Sequence, residues 1–332
     1  MNVAKNSSAT ATTGTADTRG GYRGRFAPSP SGPLHFGSLV AAVGSFLEAR
    51  RHSGEWLVRI EDLDGPRERP RAADAILLTL ERLGMRWDGP VLRQSSRTAV
   101  YAEAFGRLRS AGWLRSCRCS RARLAALPEN RSRVPGDELV HPSECLAAAG
   151  PDDAAPAWRF RSPDRDIVFL DRVQGPQLQN PARTGGDFVL RRRDGLFAYQ
   201  LAVVVDDAAQ GITDVVRGVD LLGSTGRQIL LQEALALPRP AYMHLPIVVD
   251  ASGVKLSKSG GAPSVADSAP AALVVAVLEF LRQAPPPGLE RGSLAEVWAW
   301  AVEHWEPIRF RGVRTGPAPA AARGEATMEI SG

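Results

Sequence analysis

Cysteine is scarce, with three residues in a chain of 332. An odd count cannot close a disulfide framework, and so few thiols suit a reducing cytoplasm, where the protein is expected to reside. No run of about 18 apolar residues occurs, so no membrane partner is expected. The first 21 residues are rich in Ser, Thr, Ala and Gly and have no apolar segment of the kind a secretory signal needs. They read as a disordered leader, and Asp17 with the low arginine content there argues against an organelle transit peptide. No internal repeat is visible. Apolar content of 44% and charged content of 23% are ordinary for a globular chain. The length leaves room for one large α/β domain with an insertion, or for two modest domains. A net charge of +5 is a mild bias toward anionic partners, too common to identify one.

Two short stretches carry more. In the first, Arg25-Phe26-Ala27-Pro28-Ser29-Pro30-Ser31-Gly32-Pro33-Leu34-His35-Phe36-Gly37-Ser38, the prolines and Gly32 force a rigid non-helical turn. Leu39, Val43, Phe46 and Leu47 then repeat at helical spacing, so the turn empties into an amphipathic helix that begins near Gly37 and Ser38. A helix start with free N–H groups, small residues and His35 beside it makes a phosphate site. In the second stretch, Lys255-Leu256-Ser257-Lys258-Ser259, two lysines stand in a Gly/Ser-rich loop able to bring ammonium groups over a polyphosphate. Each alone is weak, because Pro/Gly turns are common and a Lys-x-x-Lys is usually a solvated pair.

Between them the pattern is that of alternating strands and helices. Glu55–Glu61 alternates as a strand whose carboxyl end delivers Glu61, Asp62 and Asp64, where open α/β sheets place ligand groups. Helices are predicted around Ile76–Leu83 and Val100–Leu108, stopped by Gly84 and near Gly112. Phe197–Val205 reads as an apolar strand, and helices follow from about Ser224 to Leu237, Pro270 to Arg282 and Ser293 to His304. Residues 113 to about 184 break the alternation and are rich in arginine. Cys117, Cys119, His141 and Cys145 fall there. Their spacing suits a tetrahedral zinc site, or else three unrelated thiols and a surface histidine.

Taken together and in this order, the two stretches resemble the signature sequences of class I aminoacyl-tRNA synthetases, in the glutamyl branch. Arg59–Asp64, Leu196–Gln200, Val204–Asp207 and Val216–Asp220 support the resemblance, which runs from about Arg23 to about Arg282. It implies an α/β fold with a Rossmann-like nucleotide-binding domain, an inserted acceptor-type subdomain that bears zinc, and a short helical C-terminal region. The residues after Ser259 leave no room for a substantial anticodon-binding domain. The expected division is a leader at 1–21, the two halves of the catalytic domain at 22–112 and 185–250, the insertion at 113–184, a lysine-loop and helical region at 251–312, and a disordered tail at 313–332. Such shortness resembles the truncated glutamyl-queuosine family, which activates L-glutamate without tRNA and attaches it to queuosine at the first anticodon position of tRNA(Asp).

The resemblance also implies roles. ATP enters with Mg²⁺, meeting His35, Gly37 and Ser38, while Lys255 and Lys258 neutralise the leaving pyrophosphate. Ser38 stands where most class I enzymes have a second histidine. Arg25, Phe26, Ala27, Pro28, Ser29, Glu61, Tyr199 and Arg217 form the glutamate pocket, with Arg25 as carboxylate clamp and Glu61 holding the α-ammonium. Ser29 favours glutamate over glutamine. Asp206-Asp207, which by itself suggests a catalytic dyad, becomes a supporting pair. One structural Zn²⁺ sits on Cys117, Cys119, His141 and Cys145, His141 standing where a tyrosine is usual. A monomer is expected. A truncated synthetase charging a tRNA 3′ end, a catalytically silent tRNA-binding paralogue and a class I nucleotidyltransferase remain as alternatives.

Overall fold

Apolar strands separated by amphipathic helices need both sheet faces covered, and the chain meets that need with parallel crossovers. The computed structural model describes residues 21–131, 139–142, 155–250, 253, 255 and 269–319. It opens with β1 (Arg23–Phe26), α1 (Phe36–Arg51), β2 (Glu55–Ile60), α2 (Ala72–Arg82), β3 (Leu92–Arg93) and α3 (Thr98–Ser110). Then come β4 (Leu114–Cys117), α4 (Arg121–Ala125), β5 (Ala157–Phe160), β6 (Ile167–Asp171), β7 (Gly175–Gln179), α5 (Pro181–Thr184) and β8 (Phe188–Arg191). The remainder is α6 (Tyr199–Ala209), β9 (Asp214–Gly218), α7 (Thr225–Leu235), β10 (Ala241–Leu245), β11 (Ile247–Val249), α8 (Pro270–Phe280), α9 (Leu294–Glu303) and β12 (Thr315–Pro317). Among the described residues no helix is long and apolar enough to cross a membrane.

Strands β1, β2 and β3 pair in parallel, as do β9, β10 and β6, and β7 joins β6 antiparallel. Thr213 donates its backbone N–H to Arg23 O at 3.0 Å, and Arg23 N–H returns to Thr213 Oγ1 at 2.9 Å, which sets β9 beside β1. The chain leaves β1 toward β2 on one side and β9 toward β10 on the other. That reversal is a topological switch point, and the crevice above its carboxyl ends is where such sheets bind ligands. Strands β4, β5 and β8 form a separate antiparallel sheet.

The sheets redraw the expected boundaries. Strands β6 and β7, expected inside the insertion, join β10 and β9, while β8, expected beyond residue 184 in the catalytic domain, pairs with β5 beside β4. Phe197–Val205 is not a strand: Tyr199–Ala209 is helix, with Leu201 through Asp207 all buried. A helix packed on every side loses the polar stripe that reveals its period. The expected tail is also partly ordered, since β12 pairs in parallel with β11, Val248 opposite Gly316.

Helices α8 and α9 pack back on α1. Phe280 meets Phe36 edge-on at 6.0 Å, Trp298 meets Phe46 at 4.9 Å, and buried Trp305 donates from Nε1 to Glu48 Oε1 at 2.6 Å. Helix α9 starts with a reciprocal cap, Ser293 with Glu296. The C-terminal helices therefore brace the helix whose N-terminus faces the candidate phosphate site.

Candidate active site

The strand ends deliver the charged groups, and strand alternation sorts them. On β1, Arg25 faces the site and is only 3% exposed, whereas Phe26 turns into the core and stacks on Trp56 with centroids 6.3 Å apart. Phe26 was expected in the glutamate pocket; its side chain serves the core. Arg25 Nε and Nη2 donate to the two oxygens of Asp207, at 3.1 and 3.4 Å, and Nη1 to Val216 O at 3.4 Å. Fully buried Arg59 lies 2.8 Å from the same Asp207 and 3.4 Å from Glu61. Burial alone would raise the Asp207 carboxyl, but the two guanidinium groups outweigh it and hold it below its usual range.

Glu61 has the opposite fate. Burial pushes its pKa up to about 7, because Arg59 and Arg25 give their closer contacts to Asp207, and Asp207 and Asp206 add negative charge. Glu61 N–H donates to Pro28 O at 3.0 Å and Arg69 N–H to Pro30 O at 3.0 Å, pinning the proline turn against the end of β2. Within that turn Ala27 is half-buried, Pro28 buried and Ser29 exposed. Gly32 takes φ 150°, open to glycine but strained for other residues.

Asp206 and Asp207 do not act as a dyad. Successive helical residues point about 100° apart, and Asp206 accepts from Gln94 Nε2 (2.8 Å), Arg97 Nε (2.7 Å) and Tyr101 Oη (2.8 Å) instead. It ties α6 to the elements after β3.

Arg217, at the end of β9, is buried, and its hydrogen-bond partners among the described residues are all neutral. Its Nε donates to His244 Nε2 (3.0 Å), Nη1 to Gln228 Oε1 (2.8 Å) and Nη2 to Thr225 Oγ1 (2.9 Å), with longer contacts to Tyr199 Oη (3.5 Å) and Leu221 O (3.4 Å). The nearby carboxylates in sequence are engaged elsewhere, Asp214 with Arg172 and Asp220 with Lys255. The Tyr199 hydroxyl is raised, by burial first and then by Glu61 and Asp207 against the two arginines. These residues share one electrostatic environment.

At the start of α1, His35 is the N-cap. Its Nδ1 accepts Ser38 N–H at 3.3 Å and its Nε2 lies 2.9 Å from Ser38 Oγ. Ser38 thus contacts His35 through both its backbone N–H and its hydroxyl. Lys255 is exposed and pairs with Asp220 Oδ2 at 2.5 Å. Lys258 lies outside the described residues.

At the end of β4, the ligand atoms of Cys117, Cys119 and His141 lie within 4.8 Å of one another, with Cys117 Sγ 3.1 Å from His141 Nε2. Asn130 clamps the segment by donating to Leu124 O (2.8 Å) and Val140 O (2.9 Å) and accepting Val140 N–H (2.8 Å). His141 runs beside Gly186, where a Cβ would stand 1.8 Å from His141 O. Burial raises the Cys117 thiol, but His141, the Cys119 N–H and the charge of Arg159 together outweigh it and bring the pKa to about 6. Two sulfurs and an imidazole nitrogen converging in a buried corner fit zinc. Cys145 lies outside the described residues.

His244 and Asp171 escaped sequence reading because their partners are far away in the chain. A signal for the lysines was also present: among 41 basic residues, lysine stands only at 5, 255 and 258.

Comparison with known proteins agrees with this geometry. The family model of class I tRNA synthetases (E and Q), catalytic domain, matches residues 22–282. The Glutamyl-Q tRNA(Asp) synthetase of Aromatoleum aromaticum is 55% identical over 302 residues, covering 90% of this chain and 94% of the relative. That of Dechloromonas aromatica is 54% identical over 284 residues, covering 86% and 94%. A glutamate tRNA ligase of Elizabethkingia meningosepticum, solved in complex with its amino acid, superposes with a TM-score of 0.73 at 26% identity, covering 92% of this chain and 68% of that one. A Rossmann-type switch point flanked by these motifs defines the class, a class I tRNA synthetase catalytic domain of the glutamyl and glutaminyl kind. The chain belongs to that family and, within it, to the group of the glutamyl-Q tRNA(Asp) synthetases.

Proposed function

We propose that this chain activates L-glutamate with ATP in the absence of tRNA and then transfers the glutamyl group to queuosine at the first anticodon position of tRNA(Asp). One observation carries the choice of an acidic substrate. Arg217 is a buried cation whose hydrogen-bond partners among the described residues are all neutral, so a substrate carboxylate can supply the anion that would balance it. The relatives' names and the near-complete coverage of their length support the acceptor.

In the first step a glutamate α-carboxylate oxygen attacks the α-phosphorus of ATP, and the bond to the departing pyrophosphate breaks. Catalysis here is positioning and charge stabilisation. Glu61 holds the α-ammonium, and Arg25 keeps two N–H groups beyond those given to Asp207 and Val216. The α1 start with His35 and Ser38 receives the phosphates, and Lys255 and Lys258 neutralise the Mg²⁺-bound pyrophosphate. In the second step a hydroxyl of the queuosine ring diol attacks the glutamyl carbonyl, losing its proton as AMP leaves. Cys117, Cys119, His141 and Cys145 hold one structural Zn²⁺, and the enzyme acts as a cytoplasmic monomer.

Labelled glutamate locates the acceptor. Transfer is expected to survive removal of the 3′-terminal adenosine of tRNA(Asp) and to vanish with tRNA from cells unable to make queuosine. The reverse pattern makes this a conventional synthetase. For the metal, one zinc per chain is expected. A folded, active protein with far less overturns that part.

A further inference from the structure

The geometry around Arg217 extends two residues deeper. His244 sits opposite Arg217 in the β9–β10 register, and both His244 and Asp171 are fully buried. Asp171 Oδ1 accepts backbone N–H groups from Val173 (3.1 Å), Gln174 (2.8 Å) and His244 (3.3 Å), while Oδ2 lies 2.5 Å from His244 Nδ1. Burial acts to raise Asp171, but these donors outweigh it, and the carboxyl lies below its usual range. Across the ring, Nε2 is 3.0 Å from Arg217 Nε and 3.4 Å from Thr225 Oγ1.

The contacts permit one tautomer. An arginine Nε–H only donates, so His244 Nε2 must offer its lone pair; a carboxylate only accepts, so Nδ1 must carry the proton. Burial lowers the His244 pKa to about 4 against the upward pull of Asp171, and the charge of Arg217 helps lower it. A carboxylate placed directly on Arg217 would neutralise the cation, as Asp207 does for Arg25. An interposed neutral imidazole orients the guanidinium and leaves its charge for the substrate.

We propose that Asp171 and His244 are positioning residues that fix the plane of Arg217 through a neutral Nδ1–H imidazole, so that the site selects a carboxylate-bearing amino acid. This rests on Arg217 as a glutamate contact. The test is glutamate-dependent ATP–pyrophosphate exchange by the full chain. His244→Phe is expected to raise KM for glutamate roughly ten- to a hundredfold, the range for a hydrogen bond to a charged group, with KM for ATP and kcat within about twofold. His244→Gln, which presents an oxygen at similar reach, is expected to recover most of the loss. Asp171→Asn, which favours the wrong tautomer, behaves like His244→Phe.

Arg217→Lys separates the two readings. If it leaves KM for glutamate unchanged, the pocket assignment itself fails. If it raises KM while a folded His244→Phe does not, the positioning role alone is overturned. Should the variants fail to fold, ring ¹⁵N shifts of the wild-type protein decide. The expected pattern is Nδ1 protonated and Nε2 bare from pH ~5.5 to ~8; an Nε2–H tautomer or an imidazolium in that range refutes the relay.

Discussion

The arginines at the strand ends and the lysine after β11 meet opposite conditions. Arg25, Arg59 and Arg217 are buried and each is held by several partners. Lys255 has a side chain 48% exposed and pairs with a carboxylate that is itself 30% exposed. The first set is held by the fold itself, and the second lies open to solvent. Planar guanidinium forks suit a prebuilt pocket, and a compact ammonium on a flexible stem suits charge that appears only in the transition state. Lysine's near-absence elsewhere in the chain sharpens that contrast.

The largest effect is expected from breaking the prebuilt side. Asp207→Asn leaves Arg25 and Arg59 buried without their shared carboxylate, and removing one partner of a buried pair costs about 3–5 kcal/mol. Denaturant titration should show that loss as an earlier midpoint with an unchanged slope. A loss under about 1 kcal/mol would mean that neighbouring groups compensate as freely there as they do at the lysine loop, and the distinction would collapse.

Next come the lysines. Lys255→Ala and Lys258→Ala should each lower kcat by about a hundredfold or more while KM for glutamate stays within about twofold. Lys255→Arg should not restore the rate, because the fork does not reproduce a point charge on a flexible stem. Near-normal kcat in these variants would return the loop to a solvated surface.

How much of this was legible beforehand depends on whether a group's partners are local. The Arg25–Ser38 turn and the helix after it were readable because prolines, Gly32 and helical spacing act over a few residues. Helix α6 was not readable, because burial on all sides from Leu201 to Asp207 removed its periodicity. Strand β12 was hidden by a Gly/Pro-rich composition that pairs through its backbone alone. Asp171 and His244 are 73 residues apart, and nothing in either neighbourhood announces the other. The break in the pattern after residue 112 was recognisable, but where the main sheet resumes was not, since only strand pairing shows that β6 and β7 join β10 and β9.

A smaller effect tests the pocket's pH response. Glu61 must be ionised to hold an α-ammonium, yet in the free protein its pKa is pushed up to about 7. As pH falls below that value, KM for glutamate should rise by up to about tenfold per unit, and Glu61→Gln should remove the dependence. The folded pKa lies above the unfolded one, so the stability associated with the protonated form is present at low pH and lost as pH rises through about 7. Glu61→Gln should therefore flatten the decline of stability between about pH 4.5 and 7. A wild-type KM independent of pH across that window would mean that Arg59 and Arg25 hold Glu61 ionised after all.

The smallest effect is expected at the resting contact of Lys255. Asp220 can approach because residue 218 is glycine; a Cβ there would lie 2.4 Å from Asp220 Oδ1. The pair it makes with Lys255 is short but exposed on both sides, and such pairs hold weakly. Phosphates of ATP carry more charge than one carboxylate and should draw the lysine away. Asp220→Asn is then expected to lower KM for ATP by less than about threefold and to leave kcat nearly unchanged. Raising the ionic strength should shrink even that difference, because exposed charges are screened. A tenfold fall in kcat would mean that Asp220 places Lys255 in the transition state instead of releasing it. Lys255 would then be as firmly placed as the arginines of the pocket, and exposure would not be what sets it apart.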